Sequence, residues 1–432
     1  MIKRLKKYTF IFFGLITITG FGQSNYFKKN LKNLTHKKMS GRGYTSDGMK
    51  KASEYLALEF KKNGLKQFNA TYLHETSLPI NIIEAANLKI DGKDLVYGKD
   101  FIVKPSSKSV QNSNEYQLYH FPTIDYLKSF ESKENLISFL SDQKIHQNNN
   151  NIILPPLTSK VDSIKNYYKQ WSNLYENENN EGKAFFRFTA DSLTSSLSQR
   201  QANVTEFIIK DKYYSENVRI DDFHLKVNFN SDFKFNNVIG YIDGENNDSV
   251  IVVTAHYDHL GRVGESYFPG ASDNASGTAM VLELARYYAK NKPKYKTVFM
   301  LFGAEEAGIV GALKYVENPL FPLSKIKFLV NLDIMGAGED GIQVVNGTKH
   351  KKQFDELVQI NQRNNFVKEV KIRGESCNSD HCPFDKKGVP AFFIYTLGGK
   401  GNYHNVYDTY QNLDLSHVDA VKKLLINFVD SL

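Results

Sequence analysis

The chain has 432 residues, 41% of them hydrophobic, with 30 Phe and 25 Tyr. That apolar content excludes a disordered chain, and the length exceeds one ordinary domain, so two structural units are expected. The formal charge of +8 falls to +4 (8 − 4) without the four basic residues of the N-terminal segment, a balance too small to mark a nucleic-acid partner.

At the N-terminus Lys3, Arg4, Lys6 and Lys7 precede an uncharged apolar stretch from Tyr8 to Phe21, followed by Gly22 and Gln23. This is the layout of a cleavable secretory signal over residues 1–22. The stretch is shorter than the roughly 20 residues that span a bilayer, and no Cys follows it for lipid attachment. Export to the periplasm or the exterior is therefore expected, with no membrane partner after cleavage. The two cysteines, Cys377 and Cys382, are close enough in sequence for a local disulfide, which an exported chain can keep.

Residues 23–78 read as a helical lead-in. Within them, Ala52, Tyr55, Leu56, Leu58 and Phe60 recur near helical spacing over 45–65, and Gly64 supplies a C-terminal cap. From residue 79 to 233 the texture changes to short alternating strand-like runs separated by polar stretches, such as Asn148 to Asn151 and the Glu/Asn run around Glu176 to Glu181. Those stretches read as solvated loops, and the region as an inserted, mainly β domain without a catalytic constellation. From 234 to 432 four apolar runs stand out: Val250 to Ala255, Thr297 to Gly303, Ile326 to Leu332 and Pro390 to Thr396. Short runs of this kind predict strands buried on both faces. A helix with one broad apolar face (Ala279, Leu282, Leu284, Ala285, Tyr288) separates the first two, which implies a parallel sheet.

The residues just past each run carry the chemistry. His256 and Asp258 come after the first, Glu305 and Glu306 after the second, Asp333 after the third, and His404 lies eight residues past the fourth; Asp273 enters from the GASDNASG loop. Ligands of open α/β sheets bind at the carboxyl ends of strands, so these side chains are expected at one edge. Mixed imidazole and carboxylate donors suit zinc better than magnesium or calcium. Five ligands, His256, Asp273, Glu306, Asp333 and His404, are too many for one tetrahedral ion and fit two if one carboxylate bridges. Singly, each residue has a structural reading; His259 and His381 are read as structural or supporting histidines.

The motifs TAHYDHLG, GASDNASG, FGAEEAGIVGA, NLDIMG, SDHCPF and NYHNVYDT resemble, in order and spacing, the co-catalytic di-zinc aminopeptidases, which include bacterial leucyl aminopeptidase and aminopeptidase Y and, more distantly, glutamate carboxypeptidase II. The resemblance covers residues 237–432 and, more weakly, 36–65. It implies a three-layer α/β/α sandwich with a mostly parallel central sheet, and two zinc ions per chain. Asp273 would bridge them, with His256 and Asp333 on one ion and Glu306 and His404 on the other. Glu305 would be the general base, Asp258 would hydrogen-bond the metal-bound His256, and Asp408 and Thr409 would orient the His404 loop. In bacterial leucyl aminopeptidase the cysteine pair precedes the Ser-Asp-His sequence and encloses a tyrosine; here Cys377 and Cys382 straddle Ser379, Asp380 and His381, so that tyrosine has no counterpart. Asp380 and His381 are expected to line the substrate pocket, with Tyr403 or Tyr395 nearby. Residues 79–233 occupy the place where relatives carry a protease-associated domain. The implied reaction is removal of N-terminal residues from peptides by water activated at the two ions. Glutaminyl cyclase, a single-zinc transferase of similar fold, and a non-catalytic binding ectodomain are the alternatives. Against the cyclase stands the only tryptophan, Trp171, which lies in the insert and away from the ligand motifs.

Overall fold

The structure, a computed structural model, describes residues 25–111, 117–120, 135, 150–156 and 183–432. The expected signal segment, Trp171 and the Glu176 to Glu181 run lie outside the described residues, as do Asn148 and Asn149.

Strands run in the order β1 (Leu73–Ile90), β2 (Lys93–Asp94), β3 (Phe101–Val103), β4 (Val110–Gln111), β5 (Gln117–His120), β6 (Asn150–Leu154), β7 (Ala184–Thr189), β8 (Thr205–Lys210), β9 (Ile220–Ile242), β10 (Asn246–His256), β11 (Arg262–Val263), β12 (Ser266–Tyr267), β13 (Tyr295–Phe302), β14 (Ile326–Asp333), β15 (Ile342–Val345), β16 (Val370–Ile372) and β17 (Ala391–Thr396). Ten form the main sheet in the order β16-β15-β17-β14-β10-β13-β9-β1-β2, with β4 pairing β9. Its centre, β17-β14-β10-β13, is parallel, and antiparallel pairs flank it on both sides.

The apolar runs are continuous because both faces of the central strands are covered. Ile251, Val253 and Ala255 of β10 point into one core, together with α1 (Asn25–Leu34), α2 (Gly48–Lys62), α3 (Gly277–Tyr288), α5 (Lys351–Asn364) and α7 (Val418–Ser431). Val250 and Val252 point the other way, towards α4 (Val310–Glu317) and α6 (His381–Lys386). Successive strand residues face opposite sides, so a strand sandwiched between two helix layers has no polar face to show. The result is the three-layer sandwich. In α2, Ala52, Leu56 and Phe60 are buried, whereas Leu58, grouped with them by spacing, is 54% exposed. Gly64 adopts a positive φ just past the helix end, as a capping glycine does.

The expected insert edges, 79 and 233, fall inside β1 and β9. These two strands pair over almost their whole length as one ribbon, with a register shift beside Pro79. The proximal end of the ribbon extends the main sheet through β9 and β13. Its distal end packs Leu88, Ile90, Phe223 and Leu225 into a second core with a separate five-stranded sheet, β3-β8-β7-β6-β5. Leu260, Val263 and Phe268, which come after β10, enter that second core too. The second sheet is thereby seated beside the carboxyl ends of β10 and β13.

Candidate metal centre

His256 is the last residue of β10 and Asp333 the last of β14. Glu305 and Glu306 come after β13, Asp273 lies in the turn before α3, and His404 lies in the loop after β17. The structure brings all six together. His256 Nε2 lies 3.3 Å from Asp273 Oδ1, 3.5 Å from Asp333 Oδ2 and 3.9 Å from Glu305 Oε2. His404 Nε2 lies 3.1 Å from Asp273 Oδ2 and 2.8 Å from Glu306 Oε2. The two oxygens of Asp273 therefore face different histidines, each accompanied by a second carboxylate.

These separations fit donors arranged around cations. Tetrahedral zinc ligands at about 2.0 Å stand about 3.3 Å from one another. His404 Nε2, although close to two carboxylate oxygens, makes a hydrogen bond with neither, and Asp333 Oδ1 is also buried without a partner. Buried polar atoms left unpaired in this way call for an ion or a comparable partner. The residues present thus fit a metal pair, with His256 and Asp333 offered to one ion, Glu306 and His404 to the other, and Asp273 to both.

Supporting contacts fix these groups. His256 Nδ1 lies 3.3 Å from the Asp258 carbonyl and His404 Nδ1 lies 3.1 Å from the Ser195 carbonyl. Because a carbonyl only accepts, both imidazoles carry their proton on Nδ1 and present Nε2 to the site. The Asp258 carboxylate, expected on His256, is 3.6 Å away from Nδ1. Its oxygens instead accept the backbone N–H groups of Glu305 at 3.0 Å and Glu306 at 3.3 Å, so it anchors the glutamate turn. The Asp408 carboxylate accepts from the Ser272 and Asp273 amides, and Asn274 ties the Asp273 turn to Leu332 O and Ile334 N. The Asp273–Asn274 peptide is cis.

Three site-lining positions, Ala304, Ile334 and His404, have φ between 50° and 57° without being glycine. Left-handed backbone at such residues is uncommon and gathers where surrounding structure enforces it, often at functional sites.

Electrostatics mirror the crowding. Burial raises the Glu305 carboxyl well above its usual range, with His256 opposing and Asp380 adding to the rise. Burial lifts Asp380 to about 8, and neither of its oxygens has a hydrogen-bond partner. For His404, burial acts downwards, but Asp273 and Glu306 outweigh it and raise the imidazole to about 10.

Sequence reasoning missed Arg42 and left the parts played by His259 and Tyr403 open. His259, read as structural or supporting, places Nδ1 2.5 Å from Glu306 Oε1, the oxygen turned away from His404. With Asp273 and Glu306 it forms a second possible donor group. The 2.8 and 3.1 Å approaches of His404 favour it over His259 as the direct donor, with His259 holding Glu306. Arg42, fully buried, lies under the Asp273 turn and donates to Pro269 O and Gly270 O. Only the spacing of His259 from His256 hinted at the former; no pattern marks the latter. Tyr403 stacks on the His404 ring at 3.8 Å between centroids. With Asp273, Ile334, Tyr395 and Leu413 it lines a neighbouring cavity of about 290 Å³. Cys377 and Cys382 are disulfide-bonded, enclosing Asp380 and His381 in the loop.

Residues 237–429 match the profile of Peptidase family M28. The match spans 193 residues (429 − 237 + 1), a little under half of the chain. The M28 part contains every residue of the metal centre. A vacuolar membrane protease of Candida glabrata is 25% identical over 236 residues, 50% of this chain and 23% of that protein. Aminopeptidase YwaD of Bacillus subtilis is 33% identical over 171 residues, 37% of this chain and 35% of that protein. The chain thus spans about a third or less of the length of these relatives. Among solved structures, a zinc aminopeptidase from Bacillus subtilis superposes with a TM-score of 0.65 at 18% identity, covering 94% of this chain and 93% of that one. It is a likeness of fold that extends over the second sheet as well as the M28 part.

Proposed function

We propose that the chain is an exported, zinc-dependent aminopeptidase that removes N-terminal residues from peptides at a two-ion centre. The observation that carries this reading is the bridging arrangement of Asp273, with one oxygen towards His256 and Asp333 and the other towards His404 and Glu306. A site of that form has two equivalent places, whereas the single-zinc cyclase alternative requires one. The zinc aminopeptidase of matching fold and the relatives named as aminopeptidase or protease support the same reading.

When bound, the ions supply Lewis acidity towards the scissile carbonyl and lower the pKa of water. The chain supplies the rest. Glu305, buried and beside His256, accepts a proton from water and returns it to the departing amine. Asp258 keeps the Glu305 main chain in place. The cavity beside Tyr403 receives the side chain of the residue being released. Export rests on the leader-like N-terminal segment and accords with the disulfide; among the described residues no helix is long and apolar enough to cross a membrane.

The test is amino acid release from unblocked and N-acetylated peptides by residues 23–432, before and after chelation and zinc re-addition. Chelator-sensitive cleavage of unblocked peptides alone is expected. Equal cleavage of both sets, or activity indifferent to chelation, refutes the proposal.

A further inference from the structure

The β7–β8 connection is unusual. These strands are parallel neighbours in the second sheet, and a parallel pair is normally joined by a crossover helix. Here residues 190–204 form neither helix nor strand. Irregular segments of this length are uncommon in compact domains, where they are usually functional loops or linkers. This one leaves its own sheet, reaches the metal centre and returns.

Its contacts there are specific. Ser195 makes a reciprocal pair with His404: the Ser195 carbonyl accepts from His404 Nδ1 at 3.1 Å, and the Ser195 amide donates to the His404 carbonyl at 3.0 Å. Gln199 Nε2 donates to the Ala307 carbonyl at 2.6 Å, one residue beyond Glu306. Leu197 packs against both hydrophobic cores. The return limb is fastened to β1 by Ser198 O accepting from Asn81 N and by Gln201 donating to Asn81 Oδ1. Both segments held in this way, at His404 and beside Glu306, carry donors of the same half of the centre.

We infer that residues 193–201 are a strap through which the second sheet completes one of the two metal places, that of Glu306 and His404, leaving the His256 and Asp333 place to the M28 part alone. This rests on the two-ion reading. The strap sets which His404 nitrogen is free and limits the separation of the two loops. An imidazole that lost its Nδ1 acceptor would be free to rotate or to change tautomer, and partners of this kind change metal affinity about 10- to 100-fold when removed. The coupling is reciprocal: an ion held by His404 tightens the strap as much as the strap favours the ion.

The metal-free full chain is titrated with zinc by calorimetry, alongside Gln199→Met and the double variant Leu197→Ala/Gln199→Met. Neither position lies in the metal centre. Two ions are expected in the unmodified chain, and in the variants a second ion bound about 10- to 100-fold more weakly while the first stays within about twofold. Hydrogen exchange on the unmodified chain gives an independent reading: the amide of Ser195 slows when the second equivalent of zinc is added and not with the first. Unchanged affinity at both places in the folded double variant, equal weakening at both, or a Ser195 amide indifferent to zinc overturns the inference. A single ion in the unmodified chain overturns the two-ion reading, and the strap coupling with it.

Discussion

Arg42→Met is expected to destabilise the protein more than a typical buried substitution does. The Arg42 side chain is fully buried and donates to four main-chain carbonyls: Tyr257 at 2.7 Å, Leu34 at 3.0 Å, Pro269 at 2.7 Å and Gly270 at 2.7 Å. Methionine fills similar space and satisfies none of them. A buried acceptor left unpaired costs about 1 to 3 kcal/mol. The four share one guanidinium and will not add fully, so the low end of the sum, about 4 kcal/mol, is the working value, roughly a thousandfold in the folding equilibrium. The lost charge adds to this, since burial lowers Arg42 only to about 10 against Asp408, Asp273, Asp258 and Glu306, which favour the cation. Arg42→Lys keeps the charge but not the planar fork, and should cost about half as much. Denaturant unfolding of both variants, metal-free and zinc-loaded, separates the two contributions. Zinc should restore the electrostatic part, because the ions replace a positive charge, and leave the carbonyl part untouched. A metal-free Arg42→Met protein within about 1 kcal/mol of the parent, where a loss near 4 kcal/mol is expected, would refute the reasoning.

Glu305→Gln should retain its zinc, measured by elemental analysis, while kcat falls by about two to four orders of magnitude; near-normal turnover by a metal-loaded variant sinks the general-base role. Asp258→Asn points an amide N–H at the Glu305 or Glu306 amide, so zinc affinity measured by competition with a chelating dye should drop about 10- to 100-fold. His381 gives a pH signature: burial lowers its folded value to about 4, so below about pH 6.5 the unfolded chain binds a proton that the folded one does not. The His381 contribution to stability is therefore complete above about pH 6.5 and is lost as pH falls towards 4, by about 3 kcal/mol at most. His381→Gln should flatten that acid limb in denaturant titrations across the range, and an unaltered limb excludes His381 as its source.

The central sheet was legible because its central strands are covered on both faces, which turns Val250 to Ala255 and its parallel neighbours into unbroken apolar runs, two of which lead into a candidate donor, His256 and Asp333. The candidate donors were found by the same pattern: at the carboxyl end of a buried strand, a His or Asp has few destinations. Legibility ended where the determining contact is made by main chain or by residues far apart in sequence. Nothing in the sequence distinguishes Ser195, since its two bonds to His404 use its backbone atoms. Arg42 reads as one more basic residue of a lead-in, and its role depends on carbonyls at 34, 257, 269 and 270. The continuity of β1 and β9 across residues 79 and 233 was hidden for a different reason: both strands are partly exposed, so their pattern resembles several short strands.

Crowded carboxylates explain why the centre needs support from outside the M28 half. Asp258, Asp273, Glu305, Glu306, Asp333, Asp380 and Asp408 gather around the two histidines, and all seven are largely or wholly removed from water. Arg42 is the guanidinium beneath them. Like charges brought together in a poorly hydrated place repel strongly, so without cations the loops bearing Glu306, Asp273 and His404 are pushed apart. Two divalent ions, as proposed, together with Arg42 would offset five of the seven negative charges on the group (7 − 4 − 1 = 2). Before the ions arrive, the loops must be held by other bonds: Asp408 on the Asp273 turn, Asp258 on the glutamate turn, and the Ser195 strap on His404. The first two belong to the M28 half and the third does not. His404 lies on a loop, at a strained backbone angle, beyond the end of its strand, whereas His256 and Asp333 terminate strands of the central sheet. The loop-borne histidine is therefore the donor for which the strand ends provide least, and it is the one to which the second sheet is bonded.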